Sequence, residues 1–178
     1  MKPLVLASSP ELSFVRSGFA DMALALMFFD FVWRPPPSPD ELADHLGQRT
    51  SSNDGPGARH WSDWSVGSLK NSENRKHRDL SLADFCRHYE TVELWFDARP
   101  QDQLTLIWLL DYFKSHPEAV SRLRLRLVDQ ELMEMGPDGI GDWRPPIVEV
   151  TEKELMTGSL AWQAYRSRTP EACVALLQ

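Results

Sequence analysis

The stretch Thr91-Val-Glu-Leu-Trp-Phe-Asp-Ala-Arg-Pro-Gln-Asp-Gln-Leu-Thr-Leu-Ile-Trp-Leu-Leu-Asp-Tyr-Phe113 decides the fold. Its first part is a short β-branched and aromatic run of the kind that forms a buried strand. Its last part is apolar on nearly every side, as in a helix sunk into a core. Between them a sharp turn collects the polar residues. A strand running straight into a helix leaves such residues at the strand's carboxyl end, where open α/β sheets bind ligands. Asp97, Arg99, Asp102 and Gln103 are therefore the candidate ligand-binding residues.

Upstream, Leu4 to Ala7 reads as a first buried strand, and Ser9-Pro10-Glu11 opens a helix that runs to Ser17 and stops at Gly18. Phe19 to Trp33 reads as helix first, from its Ala, Leu and Met content, then as strand from about Met27, from its aromatics and β-branching. Pro35 to Pro37 ends it. Ser38-Pro-Asp-Glu41 is a capping box, so a helix runs from there to about Gln48. Thr50 to Asp79 is a long polar loop, broken by Trp61 and Trp64, that suits a lid over a ligand site. Ser81 then caps a helix reaching Tyr89.

Downstream, His116-Pro117 breaks the central helix. Arg122-Leu-Arg-Leu-Arg-Leu-Val128 alternates strictly, giving a strand with one leucine face and one arginine face. Gln130 to Arg144 reads as a turn-rich connection and Pro146 to Val150 as a short strand. Thr151 and Glu154 form a second capping box, and Gly158 to Arg166 is helical. Thr169-Pro-Glu171 starts a last short helix with Val174 and Leu177 facing inward. The expected fold class is α/β: a single domain over residues 1–178, with a small, mainly parallel or mixed sheet flanked by helices.

With 42% apolar residues and seven Trp, the chain can fill a core without metal or disulfide. Its 26 acidic residues against 19 basic ones, a net charge of −7, disfavour general nucleic-acid binding, which depends on clustered Lys and Arg. Cys86 and Cys173 both fall in predicted helices as small buried hydrophobes, which points to a reducing cytosol. No signal-peptide pattern stands at Met1 to Leu6. The apolar run Ala20 to Trp33, interrupted by Asp21 and Asp30, is too short to span a bilayer. The expected location is cytoplasmic, without membrane contact.

Asp97 and Asp102 could hold a divalent cation or supply a base. The preferred reading is structural, because Pro100 fits the first helical position and puts Asp102 in the first turn, where the helix dipole favours an acid. Arg122, Arg124 and Arg126 could clamp an anion, or pair with Glu93 and Glu149 while protecting an edge strand; the second reading is preferred. Cys86-Arg-His88 and His60-Trp-Ser-Asp63 lack the second pair that a zinc site needs, so no metal site is expected. Gly-x-Ser-x-Gly, Walker and Gly-x-Gly-x-x-Gly patterns are absent from the sequence. Trp61 and Trp64 share their loop with Arg59, His60 and Lys70, a set that could stack on planar ligands, though anchoring of the loop by buried indoles is preferred.

Leu94-Trp-Phe96, Asp102-Gln-Leu104 and Leu109-Leu-Asp-Tyr-Phe113, with Ala161-Trp-Gln-Ala-Tyr165 and Thr169-Pro-Glu171, resemble an uncharacterised bacterial domain family. The family is marked by a Leu-Trp-Phe strand, an acidic turn, Asp-Gln-Leu and a Trp-x-Ala-Tyr closing helix. The resemblance covers about the last half of the chain and implies a single α/β domain. The chain departs from the family at polar positions, with Ala98-Arg-Pro100 inside the turn, Ser8-Ser9 after the first strand and Arg34-Pro-Pro36 after the second.

The expectation is a non-catalytic binding or regulatory module with a ligand cleft at the Asp97 to Gln103 turn, taking a small anionic ligand or a protein partner. The alternative is a metal-assisted phosphoester or nucleotide hydrolase using Asp97 and Asp102, with Arg99 as anion clamp. A homodimer that hides a tryptophan-rich surface is the third reading. No cofactor is specified by the sequence.

Overall fold

Strands β1 (Leu4–Ala7), β2 (Met22–Ala25), β3 (Val92–Phe96), β4 (Leu123–Leu127) and β5 (Ile147–Glu149) form one sheet in the spatial order β2-β1-β3-β4-β5. The first four are parallel, with Leu6 opposite Leu24 and Leu94, and Leu94 opposite Leu125; β5 runs antiparallel to β4. This computed structural model describes residues 2–8, 11–26, 29–50, 60–63, 77–129 and 137–176. Among them eight helices flank the sheet: α1 (Glu11–Arg16), α2 (Pro39–Leu46), α3 (Leu82–Cys86), α4 (Pro100–Lys114), α5 (Pro117–Val120), α6 (Pro137–Asp142), α7 (Glu152–Tyr165) and α8 (Glu171–Ala175). The architecture is the expected α/β class with a mostly parallel, mixed sheet.

Alternation along the strands sorts the core into two layers. Leu4, Leu6, Met22, Leu24, Val92, Leu94 and Phe96 face a large cluster built with α2, α3, α4 and α7. Val5, Ala7, Ala23 and Trp95 face a smaller one closed by Phe14 of α1 and Ile140 of α6. Strands buried on both faces carry no polar alternation, which is why β1, β2 and β3 are almost wholly apolar. The predicted caps are present: Ser38 and Thr151 form capping boxes with Glu41 and Glu154, and Ser81 accepts from the amide of Asp84. Gly18 ends α1 with φ +73, a conformation that disfavours any side chain. Helices α4 and α7 touch at Gly158, where an added Cβ would stand 2.5 Å from the Cβ of Leu110.

Several expectations fail locally. In Phe19 to Trp33 the order is strand, then turn: Met22–Ala25 is β2 despite its helix-forming residues, because pairing with β1 overrides weak propensity. Phe29 and Phe31 do not form a strand. They pack edge-on against Trp108 in a turn fixed by the Asp30 carboxylate, which accepts from the Trp33 amide at 2.9 Å. Met27 and Phe28 lie outside the described residues. Pro137 to Asp142 is helical although glycine-rich, since Ile140 is buried against α1. Helix α8 buries nothing, and Val174 is 52% exposed rather than inward; Leu177 lies outside the described residues. Cys86 is buried, but Cys173 is exposed. Strand β4 is not an edge strand, because β5 covers it.

Candidate functional site

The order β2-β1-β3 means that the chain leaves β1 toward one side and returns to β3 on the other. The carboxyl ends of β1 and β3 therefore flank a topological switch point, where doubly wound sheets bind ligands. Ser8 and Asp97 are the first residues beyond these two ends.

The turn after β3 closes on itself. Asp97 Oδ1 accepts from the backbone amide of Arg99 at 2.9 Å, and Arg99 Nε donates to both Asp97 carboxylate oxygens at 2.9 and 3.0 Å. Arg99 Nη2 donates to Asp102 Oδ2 at 3.1 Å, and the Ser8 hydroxyl donates to the same oxygen. Gln103 Nε2 donates to the Asp97 carbonyl at 2.7 Å. Pro100 occupies the first helical turn and Asp102 lies in it, as expected. Gln101 reaches the other way: its Oε1 accepts from the Phe31 amide at 2.9 Å and its Nε2 donates to the Phe29 carbonyl. One helical turn thus ties together the residues that follow β1 and β3 and the Phe29 to Phe31 segment beyond β2.

Asp97 and Asp102 are 1% and 2% exposed, so neither presents its carboxylate to solvent. Burial raises the Asp102 pKa; the Ser8 hydroxyl opposes this, the charge and hydrogen bond of Asp97 add to it, and Arg99 lowers it, with a net upward shift. Burial works against the Arg99 charge, but the hydrogen bond of Asp97 and the charges of both acids outweigh it and raise that pKa.

Beside this clasp lies a cleft of about 470 Å³, lined by Phe96, Ala98, Gln103, Leu106, Leu125, Arg126, Leu127, Val128 and Asp129. It opens at the carboxyl ends of β3 and β4, against the first turns of α4. Of the four candidates, only Gln103 lines it; Asp97, Arg99 and Asp102 form the buried clasp behind it. Ser8, noted in the sequence only as a departure from the family pattern, and Gln101, not noted there, complete the arrangement; their partners lie far away in sequence and no spacing rule connects them.

The arginine row is taken up structurally. Arg126 binds both carboxylate oxygens of Glu93, Nε at 2.8 Å and Nη2 at 2.7 Å, while Trp95 Nε1 donates to Glu93 at 2.9 Å. Arg124 pairs with Glu149 across the antiparallel strands at 3.2 Å, and Arg122 donates to the Tyr89 carbonyl at 2.6 Å. The cross-strand partners are the expected ones, but the edge-protection reason falls because β4 is internal.

A second buried polar cluster ties down the polar loop. His60 is fully buried; its Nε2 stands 2.9 Å from the Gly47 carbonyl and must carry the proton, leaving Nδ1 to accept from the Ser62 hydroxyl at 2.8 Å. Arg49 donates to Ser62 at 2.8 Å and pairs with Asp63 and, at 3.3 Å, with Asp79. Burial holds the His60 pKa below its ordinary value; the Gly47 contact opposes this, and the Arg49 charge adds to it. Trp61 is buried and donates to the Leu80 carbonyl at 2.9 Å, the anchoring role expected of it. Trp64, Arg59 and Lys70 lie outside the described residues, and none of the loop's described residues lines the cleft. Among the described tryptophans, Trp61, Trp95, Trp108 and Trp162 are buried, Trp143 is half-buried and Trp33 is exposed.

Comparison with protein-family models, with curated proteins and with solved structures finds no match. Among the described residues no group of three or more His, Cys, Asp or Glu is placed to hold a metal ion. No helix among them is long and apolar enough to cross a membrane.

Proposed function

We propose that the chain is a non-catalytic binding or regulatory module whose ligand occupies the cleft between the carboxyl ends of β3 and β4 and the first turns of α4. The observation that carries this reading is the division of labour at the turn. Its charged groups are closed on one another, while an apolar cavity of a size suited to small ligands opens beside them. The clasp holds the turn that contributes Ala98 and Gln103; the cleft offers the contact. A hydrolase using Asp97 and Asp102 would need those carboxylates turned toward substrate, and both instead face Arg99 or Ser8 from buried positions. A cytoplasmic setting is supported by Cys86, a buried free thiol.

The test is an amide-resolved NMR titration with a panel of small apolar fragments. Shifts should concentrate at Ala98, Gln103, Leu106 and Leu125 to Asp129. Shifts confined to another surface would overturn the assignment.

A further inference from the structure

The groups around the cleft also specify the ligand's chemistry, an inference that rests on the binding reading above. Phe96, Leu106, Leu125 and Leu127 make an apolar wall. Leu127 is 49% exposed, a large apolar side chain held at the mouth. Arg126 brings backbone rather than charge. Its side chain lies on the opposite sheet face with Trp95, where the guanidinium is bound to Glu93 and to the Pro145 carbonyl at 3.0 Å. Arg99, the other nearby cation, is held by Asp97 and Asp102.

The one charged group that the described lining has left for a ligand is a carboxylate. Asp129 is exposed and forms no ion pair with any described residue. Gln103 spends one of its two amide hydrogens on the Asp97 carbonyl and keeps Oε1 as an acceptor and the other hydrogen as a neutral donor. The chain's net charge of −7 adds an attractive field for cations. An anion would instead meet a carboxylate and no available guanidinium.

We propose that the cleft binds a small amphiphilic amine, its apolar body against Phe96, Leu106, Leu125 and Leu127 and its ammonium group at Asp129. Phenethylamine, phenethyl alcohol and phenylacetate, nearly equal in size and different in charge, make the test, followed by NMR titration of the wild-type chain and of Asp129→Asn. Expected is binding of all three at the cleft amides. The amine should bind about threefold tighter than the alcohol and about tenfold tighter than the acid, as a partly exposed charge pair allows. Added salt and Asp129→Asn should both remove the gap. Equal binding of the three, or tighter binding of the acid, overturns the amine assignment and leaves the cleft as the binding site. A preference for the amine that survives in Asp129→Asn overturns the role of Asp129. If none of the three moves the cleft amides, the amine proposal and the binding reading fall together.

Discussion

Two clusters in this molecule share one plan, an arginine held between two aspartates with a serine hydroxyl beside it, and they differ in how the chain assembles them. In the first, Arg99 joins Asp97 and Asp102 within one turn, and Ser8 is the only distant member. In the second, Arg49 joins Asp63 and Asp79, 14 and 30 positions further along the sequence, with Ser62 and His60 alongside. The acids differ as well: the side chains of Asp97 and Asp102 are 2% and 3% exposed, whereas those of Asp63 and Asp79 are 39% and 61% exposed. The comparison teaches that the same pairing can be a buried obligation or a solvated tie, according to what surrounds the carboxylates.

The largest effect should come from Arg99→Ala. It leaves two buried carboxylates without their cation, and unfolding in urea should show a loss of about 3–5 kcal/mol. Arg49→Ala should cost less, about 1–2 kcal/mol, because its acids can rehydrate where they stand. Equal losses would break the comparison. Ser8→Ala should cost about 1 kcal/mol by removing one hydrogen bond to Asp102, again read by urea unfolding.

The smallest effects are in pH dependence, and the two clusters should respond in opposite directions. The folded-state pKa of Asp102 is raised, so the native chain keeps that proton where the unfolded chain has lost it. Stability from this group is present below the ordinary carboxylate value and is lost as pH rises through the raised one. Asp102→Asn should flatten that slope. The folded-state pKa of His60 is lowered, so its contribution is full above the unfolded value of 6.5 and declines as pH falls from there toward the folded one. His60→Gln should flatten that decline, measured as urea midpoint against pH.

Local assembly also explains what could be read from sequence. The strand, turn and helix around Asp97 follow from a continuous run, with Pro100 marking the helix start and Asp102 placed in its first turn. Ser38 and Thr151 announce their helices within four residues. The share of Ser8 depends on β1 lying beside β3, that of Gln101 on the Phe29 to Phe31 turn reaching α4, and nothing local encodes either. β2 itself was misread because Met22-Ala-Leu-Ala25 has helix-forming composition and takes its conformation from β1. A cleft is expected at this turn and one lies beside it, but its walls come from two strands and a helix, so sequence proximity reaches only Ala98 and Gln103 of its lining.

Gly158 acquires a second meaning in this setting. Its missing Cβ lets α7 rest directly on Leu110, about 15 Å along α4 from Pro100 at ~1.5 Å per residue. A side chain at residue 158 would press on the far part of a rigid rod whose near end carries the clasp and one wall of the cleft. The displacement would begin at Leu110, a residue that does not line the cleft. The seat of α7 on Leu110 thus admits nothing larger than a hydrogen at residue 158 unless one of the two helices gives way there.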